Sequence, residues 1–520
     1  MNLWTLLERA ARSHPRKLAA VDGELRIDYT ELRARAASLA CGLAQRGVRR
    51  GDRIAILEPN SLAFLEACWA AAGLGAILVS LNTRLLPAEL ASILRHCGAR
   101  VLVAHGSFLE TVTALGTQGT ALELVVWTGD APASFPRPAI THAELLRTPS
   151  HNFIVEPVGA DHVAQLYYTS GTTGEPKGVM LTHGNVTWHA LGARAEFALS
   201  DRDVWIHVAP MFHLADAWAI FAFTWCGATH VFVPRFDERA VLDAIVEQGV
   251  TMTNLVPTML QRLVAFEGAA ERAYPALRMI LSGGAPIAPS VVRRIVATFR
   301  CEYVQTYGMT ETSPFLTVSL LKNHLRSAPA EAQFAWRAKT GRAFATVDLE
   351  VIGDDGQPVA ADGVAVGEIR ARGPTVTPGY WNDAAATARA FQGEWLLTGD
   401  LATIDSEGYL QIVDRRKDMI ISGGEKVYST EVEHVLYAHP EVAECAVFGV
   451  LDAVWGERVE ACIVLCPGAL AGVEELLAHA RQHLAGFKVP RRIRLERELP
   501  KTGTGKIAKR WLRDSCASGD

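Results

Sequence analysis

The sequence is poorest in the features that mark membrane, secreted or nucleic-acid-binding proteins. It has no uninterrupted apolar run of about 18 residues. Its most apolar stretch, 214–233, is broken by Asp216, Gly227 and His230, so it reads as core or an apolar binding wall. A basic excess is also missing. The chain has 51 Lys and Arg against 56 Asp and Glu, a formal net charge of −5, and a nucleic-acid partner therefore lacks its electrostatic footprint. The nine cysteines are odd in number and scattered. The tightest spacing, Cys462 and Cys466, lies in Ala-Cys-Ile-Val-Leu-Cys without the paired Cys or His partners of a zinc site. Buried, reduced thiols in a cytoplasmic protein are the expectation. Residues 1–12 mix apolar and charged side chains, with no apolar centre before a small-residue cleavage site, and so do not read as a signal peptide. Internal repeats and long low-complexity linkers are lacking too.

What is present is a chain of 520 residues with 49% hydrophobic residues, enough for two or more domains with a large core. Strand-like and helix-like patterns alternate: strand 53–57, helix 62–73 with an apolar stripe, strand 76–80, helix 88–96, strand 100–104. The alternation returns at 238–248, 251–255, 257–266 and 278–281. This predicts an α/β fold with mostly parallel strands. From about residue 348, short β-like runs such as 367–372 and 409–414 stand between Gly and Asp, predicting a β-rich subdomain. A charged stretch, 414–418, interrupts the pattern. The remaining hundred or so residues mix strand and helix patterns, as a compact terminal domain would.

The segment from Tyr168 to Gly178 stands out chemically. Residues 163–168 form a strand-like lead-in, and seven of the ten residues from Thr169 to Gly178 are Thr, Ser or Gly. Such a loop offers backbone N–H groups and hydroxyls at close range, because Gly removes side-chain obstruction. Lys177, its single cation, adds a point charge suited to phosphate. A P-loop requires G-x-x-x-x-G-K-[ST]. Lys177 precedes Gly178 instead, and the second glycine-lysine segment, 502–507, also departs from the template, with Pro500 and Ile507 at the deciding positions. A Walker-type NTPase is excluded on these grounds.

With six further motifs in order, the loop resembles the phosphate signature of the adenylate-forming superfamily, which holds acyl-CoA synthetases, adenylation domains and beetle luciferases. Ala209-Pro210-Met211-Phe212-His213 resembles its aromatic-His motif beside the acyl site. Ser282-Gly283-Gly284-Ala285 resembles the adenine-side loop, Tyr307-Gly308-Met309-Thr310-Glu311 the adenine-stacking and metal motif, and Thr398-Gly399-Asp400 the ribose motif. Residues 414–433 resemble the hinge region, and 500–507 the C-terminal lysine motif. The resemblance covers nearly the whole chain.

It implies a large N-terminal domain (1–416) of mixed and parallel sheets with flanking helices and a β-rich subdomain, and a small mobile α+β C-terminal domain (417–520). It implies ATP, Mg2+ and coenzyme A as cosubstrates and cofactor. Thr169, Ser170, Gly171, Thr172, Thr173 and Lys177 would contact the β- and γ-phosphates, and Thr310 the α-phosphate. Gly283, Gly284, Ala285, Tyr307 and Gly308 would hold adenine. Asp400 and Arg415 would hold ribose. Glu311, with Thr169, would hold Mg2+, a cation that prefers oxygen ligands and nucleotide phosphates. His213, Trp218 and Met309 would line the acyl pocket, with His213 near the substrate carboxylate and linked to gating. Lys506 would place an ammonium between two anions, the attacking carboxylate and the α-phosphate. Lys417 would be the hinge, and Gly423 and Gly424 would border the pantetheine path. Two departures stand out: Asp216, where small residues are frequent after the His, and Ser429, where many relatives have Pro.

A free-standing CoA ligase is the expected member, since nothing after Lys506 leaves room for a carrier-protein domain. Carrier-protein loading by a free-standing enzyme, a luciferase-like oxygenase and a catalytically dead binding relative are the alternatives, the last opposed by the intact Lys506, Glu311 and Asp400. The bulk of residues 218–225 suits an apolar acid, aliphatic or aryl, and no Arg or Lys cluster nearby suggests a dicarboxylate. A peripheral membrane contact and a monomeric or homodimeric state stay open.

Overall fold

The computed structural model describes residues 2–116, 118–132, 135, 138–170, 176–501 and 507–517. By compactness the chain divides into two units. One is 1–349 with 371–396, and the other is 350–370 with 397–520. The boundary expected at Lys417 is a boundary of motion, which packing density does not address.

The first unit holds two sheets among the described residues. One has the order Ala139–Thr141, Leu124–Thr128, Val101–His105, Arg53–Leu57, Ile77–Ser80, Val163–Ser170, Pro176–Thr182. Every neighbouring pair in it is parallel except the last, an antiparallel hairpin. The other runs Arg342–Ala343, Phe315–Val318, Glu302–Gly308, Met279–Ser282, Met252–Asn254, Val204–His207, Thr229–Phe232, Leu18–Asp22, Leu25–Asp28. Its middle is parallel and its edges antiparallel. This is the expected α/β pattern with crossover helices.

Local chemistry sets the helix limits. Ser61 caps Leu62–Leu74 by accepting from the Phe64 N–H, and Gly75 ends the helix at φ 62°, where a side chain is strained. The sequence predicts an apolar stripe here, but every residue of the helix except Ala63 is buried, because all its faces are apolar apart from Glu66, which is paired with Arg35 and His142. Leu214–Cys226 behaves alike, ending at Gly227 with φ 74°. The apolar stretch 214–233 is thus core. Seven of the nine cysteines are buried and none is bridged. Among the described residues no helix is long and apolar enough to cross a membrane.

Mostly in the second unit, with the strand ends 348–349, 371–372 and 395–396 belonging to the first, Asp348–Ile352, Gly367–Arg372, Trp395–Ile404 and Leu410–Arg415 neighbour one another in one sheet. Glu425–Val427, Ile420–Ser422, Gly456–Leu465 and Val442–Asp452 form another, with Arg492–Leu495 parallel to Gly456–Leu465. Helices Ser429–Tyr437 and Val473–His483 cover this second sheet.

Candidate active site

The hairpin Val163–Ser170 with Pro176–Thr182 carries both ends of the Thr/Ser/Gly loop. Its register sets Thr169 opposite Lys177 and Tyr168 opposite Gly178. A Cβ on Gly178 would lie 3.0 Å from the Tyr168 ring, so glycine lets the two strands pair there. Gly171, Thr172, Thr173 and the Ser170 side chain fall outside the described residues, as does Lys506.

Lys177 Nζ stands 5.1 Å from the centroid of the Tyr380 ring. The Tyr380 hydroxyl donates to Glu311 Oε1 at 2.9 Å. One tyrosine therefore joins the phosphate-loop lysine to the carboxylate expected to hold Mg2+. Its segment is stapled on both sides. The Trp381 N–H donates to Gly178 O (2.8 Å), the Met180 N–H to Gly379 O (3.1 Å), and the Thr377 N–H to Glu311 O (2.8 Å). Burial, and then the Glu311 charge, push the Tyr380 pKa up, so it stays a donor. No group of three or more His, Cys, Asp or Glu that could hold a metal occurs among the described residues. The carboxylate of Glu311, 7% exposed, and the Thr169 hydroxyl are hard oxygen donors. They fit Mg2+ in the way it usually binds, through one or two protein groups plus nucleotide phosphates and water.

The adenine-side residues follow two adjacent parallel strands, Met279–Ser282 and Glu302–Gly308, with Ser282 opposite Gln305. Gln305 donates Nε2–H to Ala285 O at 2.9 Å, tying the Gly283–Ala285 loop to the strand that carries Tyr307. A Cβ on Gly283 would meet Thr306 Oγ1 at 2.6 Å, and one on Gly308 would meet Pro314 O at 1.8 Å. No larger residue fits at Gly308. Beyond it, Thr310–Thr312 is a 3-10 turn, held by Thr312 Oγ1, which donates to Pro314 O (2.6 Å) and accepts from the Met309 N–H (3.2 Å). The turn presents Thr310 and Glu311.

His213 precedes helix Leu214–Cys226, and its carbonyl accepts from the Asp216 and Ala217 N–H groups at 3.0 and 3.1 Å. Its loop is clamped by a residue that sequence reasoning missed, the buried Asn60. Asn60 Oδ1 accepts from the Met211 N–H (2.8 Å), and Nδ2 donates to His207 O, Ala209 O and Val233 O at 3.0–3.2 Å. Beside Asn60, Glu58 accepts from Ser61 Oγ (2.8 Å) and Thr128 Oγ1, and burial pushes its carboxyl up to about 7. Trp218 is 1% exposed, packed edge-on against Trp205 and Phe315 with ring centroids 5.1 Å apart in each case. It is a core aromatic that can only back an acyl pocket from behind.

Asp216, a departure from the family pattern, is fully buried and has a built environment. His207 Nδ1 meets Asp216 Oδ2, His207 Nε2 meets His230 Nδ1 at 3.0 Å, and His230 Nε2 meets Thr224 Oγ1 at 3.0 Å. One donor sense satisfies all three contacts, running Thr224, His230, His207, Asp216. Burial, and then His207, hold the His230 pKa well down, so that ring is neutral.

In the second unit, Asp400 and Arg415 sit opposite each other on antiparallel strands, with Arg415 Nε 3.2 Å from Asp400 Oδ1. The sequence suggests a turn at Asp400. The strand instead runs on through Gly399, whose φ of 74° and N–H donation to Glu368 Oε1 (3.1 Å) accommodate the kink. Lys417 is exposed, and partial desolvation of its ammonium lowers its pKa. Gly423 and Gly424, at φ 62° and 86°, form the two-residue turn between Ile420–Ser422 and Glu425–Val427, as a hairpin of that length requires. A Cβ on Gly423 would lie 2.9 Å from the Trp455 ring.

With this geometry in hand, comparison with known proteins decides the family. Residues 7–381 match the AMP-binding enzyme family, and residues 431–506 match the AMP-binding enzyme C-terminal domain. The chain belongs to the AMP-binding enzyme family. It is 39% identical over 506 residues to a feruloyl-CoA synthase of an Amycolatopsis species, covering 97% of both chains. It is 37% identical to a long-chain-fatty-acid–CoA ligase of Thermus thermophilus, covering 99% of this chain and 95% of that one. Among solved structures, the o-succinylbenzoate CoA synthetase MenE of Bacillus subtilis, in complex with its acyl-adenylate, matches with TM-score 0.85 at 31% identity, covering 99% of this chain and 98% of that one. The chain is accordingly an AMP-forming acid–thiol ligase, of an enzyme class that uses ATP and CoA on small carboxylic acids.

Proposed function

We propose that this ligase joins an apolar carboxylic acid, medium- to long-chain aliphatic or aryl, to CoA through an acyl-adenylate. A carboxylate oxygen attacks the α-phosphorus of ATP, and the bond to the β-phosphate oxygen breaks, releasing pyrophosphate. The CoA thiol then attacks the acyl carbonyl, loses its proton, and AMP leaves. The observation that carries the reading is the Lys177–Tyr380–Glu311 bracket, which sets a cation and an oxygen ligand at the base of the Thr/Ser/Gly loop. Lys177 with Thr169, Ser170, Gly171, Thr172 and Thr173 holds the departing phosphates. Gly283, Gly284, Ala285, Tyr307 and Gly308 hold adenine, Asp400 and Arg415 hold ribose, and Thr310 meets the α-phosphate. Mg2+, resting on Glu311 and Thr169, would neutralise phosphate charge. His213 and Met309 orient the acid, with Trp218 behind them. Lys506 stabilises the charge where carboxylate and phosphate meet. Lys417 is the pivot between the 1–416 and 417–520 domains, and Gly423–Gly424 borders the thiol's path.

Relatives named for feruloyl and long-chain fatty acids support an apolar acid. The test is a panel of acetate, octanoate, benzoate and a hydroxycinnamate with ATP, Mg2+ and CoA. AMP and acyl-CoA should appear together, fastest with the apolar acids. A preference for acetate would overturn the substrate class. AMP release that requires a carrier protein in place of CoA would overturn the acceptor.

A further inference from the structure

A second lysine follows the lysine loop, and the chemistry above does not use it. Lys509 opens helix Lys509–Ala517, yet its side chain is only 18% exposed. Its Nζ donates to Glu433 Oε1 and to Ser429 Oγ, both at 2.7 Å. Glu433 lies on helix Ser429–Tyr437, and the same oxygen accepts from the Val447 N–H at 2.8 Å. Ser429 passes the connection on, donating Oγ–H to Asp414 Oδ1 at 3.0 Å and its N–H to Asp414 Oδ2. Asp414 Oδ1 also accepts from the Arg415 N–H at 2.7 Å. Each donor and acceptor in this path is used in one sense. It ends on the residue beside the arginine that pairs with Asp400.

The chain flanking residues 502–506 is clasped independently. Lys501 and Ile507 form an antiparallel bridge, the Ala508 N–H donates to Pro500 O at 2.8 Å, and Lys501 Nζ meets Glu444 Oε1 at 2.6 Å. Lys506 is the residue immediately before Ile507 of this clasp, and Lys509 is the second residue after Ile507. Burial raises the pKa of both Glu433 and Asp414, and the Lys509 ammonium opposes the rise in both. The cation is therefore matched to two buried carboxyl groups, not left over at the surface.

The geometry points to Lys509 as a positioning residue for the adenylation half-reaction. Through Glu433 and Ser429 it fixes the clasp of the Lys506 loop in one frame with the strand that bears Arg415. The inference rests on the role proposed for Lys506. Ser429 is a necessary link, since a proline there has neither the hydroxyl nor the N–H that this path uses. Misplacing a reacting group by about 1 Å costs on the order of a hundredfold in rate.

The test uses the full-length enzyme and separates the half-reactions. ATP–pyrophosphate exchange with octanoate or benzoate, whichever the panel favours, reads adenylation. Thioester formation from the corresponding supplied acyl-AMP and CoA reads the second half. Lys509→Met should lower exchange about ten- to hundredfold while changing thioester formation about twofold or less, and Lys509→Arg should restore most of the exchange. The double variant Lys509→Met with Glu433→Gln removes both charges, leaves no lone buried carboxylate at position 433, and should show the same split if the single variant does not fold. Equal loss in both half-reactions, or loss in neither, would overturn the inference. Lys506→Ala is the reference. If it keeps full exchange, the role proposed for Lys506 fails, which is distinguishable from a failure of its anchoring.

Discussion

The Tyr380 hydroxyl points one hydrogen at Glu311, while its ring supports Lys177. Tyr380→Phe keeps the ring and deletes the hydrogen bond. A hydrogen bond to a charged group contributes about 1.5–3 kcal/mol. If only part of that is realised in nucleotide binding, the KM for Mg-ATP should rise about tenfold, and thioester formation from supplied acyl-AMP should stay near wild type. An unchanged KM for Mg-ATP in steady-state assays would show that Glu311 keeps its geometry without the tyrosine. The same residue shows where reading the sequence stops. Lys177, Glu311, Tyr307 and Asp400 were singled out because each stands inside a contiguous motif, Lys177 in a loop whose composition suits phosphate and the other three in segments that resemble the family's. Tyr380 lies in Pro-Gly-Tyr-Trp, ordinary turn chemistry, and acquires a role only because two strands and a 3-10 turn converge on it from distant parts of the chain. Asn60 is hidden in the same way: a lone polar residue after a strand carries no sign of the three carbonyls that it will meet.

At the scale of elements, the strands and helices within 53–104 and 238–281 were legible from alternating periodicity, to within a residue or two at their ends. What periodicity could not give was polar chemistry at strand ends, where partners come from separate crossovers. Glu58, just past Arg53–Leu57, is such a case, held between Thr128 at the end of one strand and Ser61 at the head of a helix. Its carboxyl is raised from 4.5 to about 7 by burial. The native state therefore binds this proton more tightly than the unfolded chain. Stability from this group is fully present below about pH 4.5 and is lost as pH rises through about 7, a loss of about 3 kcal/mol. Urea unfolding at a series of pH values should show Glu58→Gln flattening that decline between pH 5 and 7. An identical slope in variant and wild type would mean the proton is not taken up there. Asp216 belongs to the same class. It was legible only as a departure from the family pattern, because His207 and His230 sit on two neighbouring strands and no local spacing links them to it.

For the whole molecule, the family, the α/β class and the order of the motifs could all be read from the chain, whereas its division into compact units could be read only in part. The chain passes from one unit to the other three times, near residues 349, 370 and 396. The first passage coincides with the change to short β-like runs from about residue 348, and no change in composition marks the other two. The proposed pivot, Lys417, is exposed and stands next to Asp418, which pairs with Arg513 at 3.2 Å. Fixing its φ with Lys417→Pro should spare ATP–pyrophosphate exchange more than thioester formation, the second being the half for which the proposed pivot would have to turn. Equal loss in both rate measurements would move the pivot elsewhere.

The Ser429–Asp414 contact has a consequence for anyone who cuts this protein. A fragment ending at Arg416 follows the proposed line of motion and keeps every strand of the sheet that holds Asp400 and Arg415. It also strips Asp414, a carboxylate 2% exposed in the intact chain, of both hydrogens that Ser429 donates. In the excised piece water takes the place of those two donors, so the carboxylate is hydrated and no longer held in one geometry beside Arg415. A fragment designed from the proposed hinge alone should therefore order its last strand less firmly than its complete sheet suggests, and a truncation meant to isolate nucleotide binding should extend beyond Ser429.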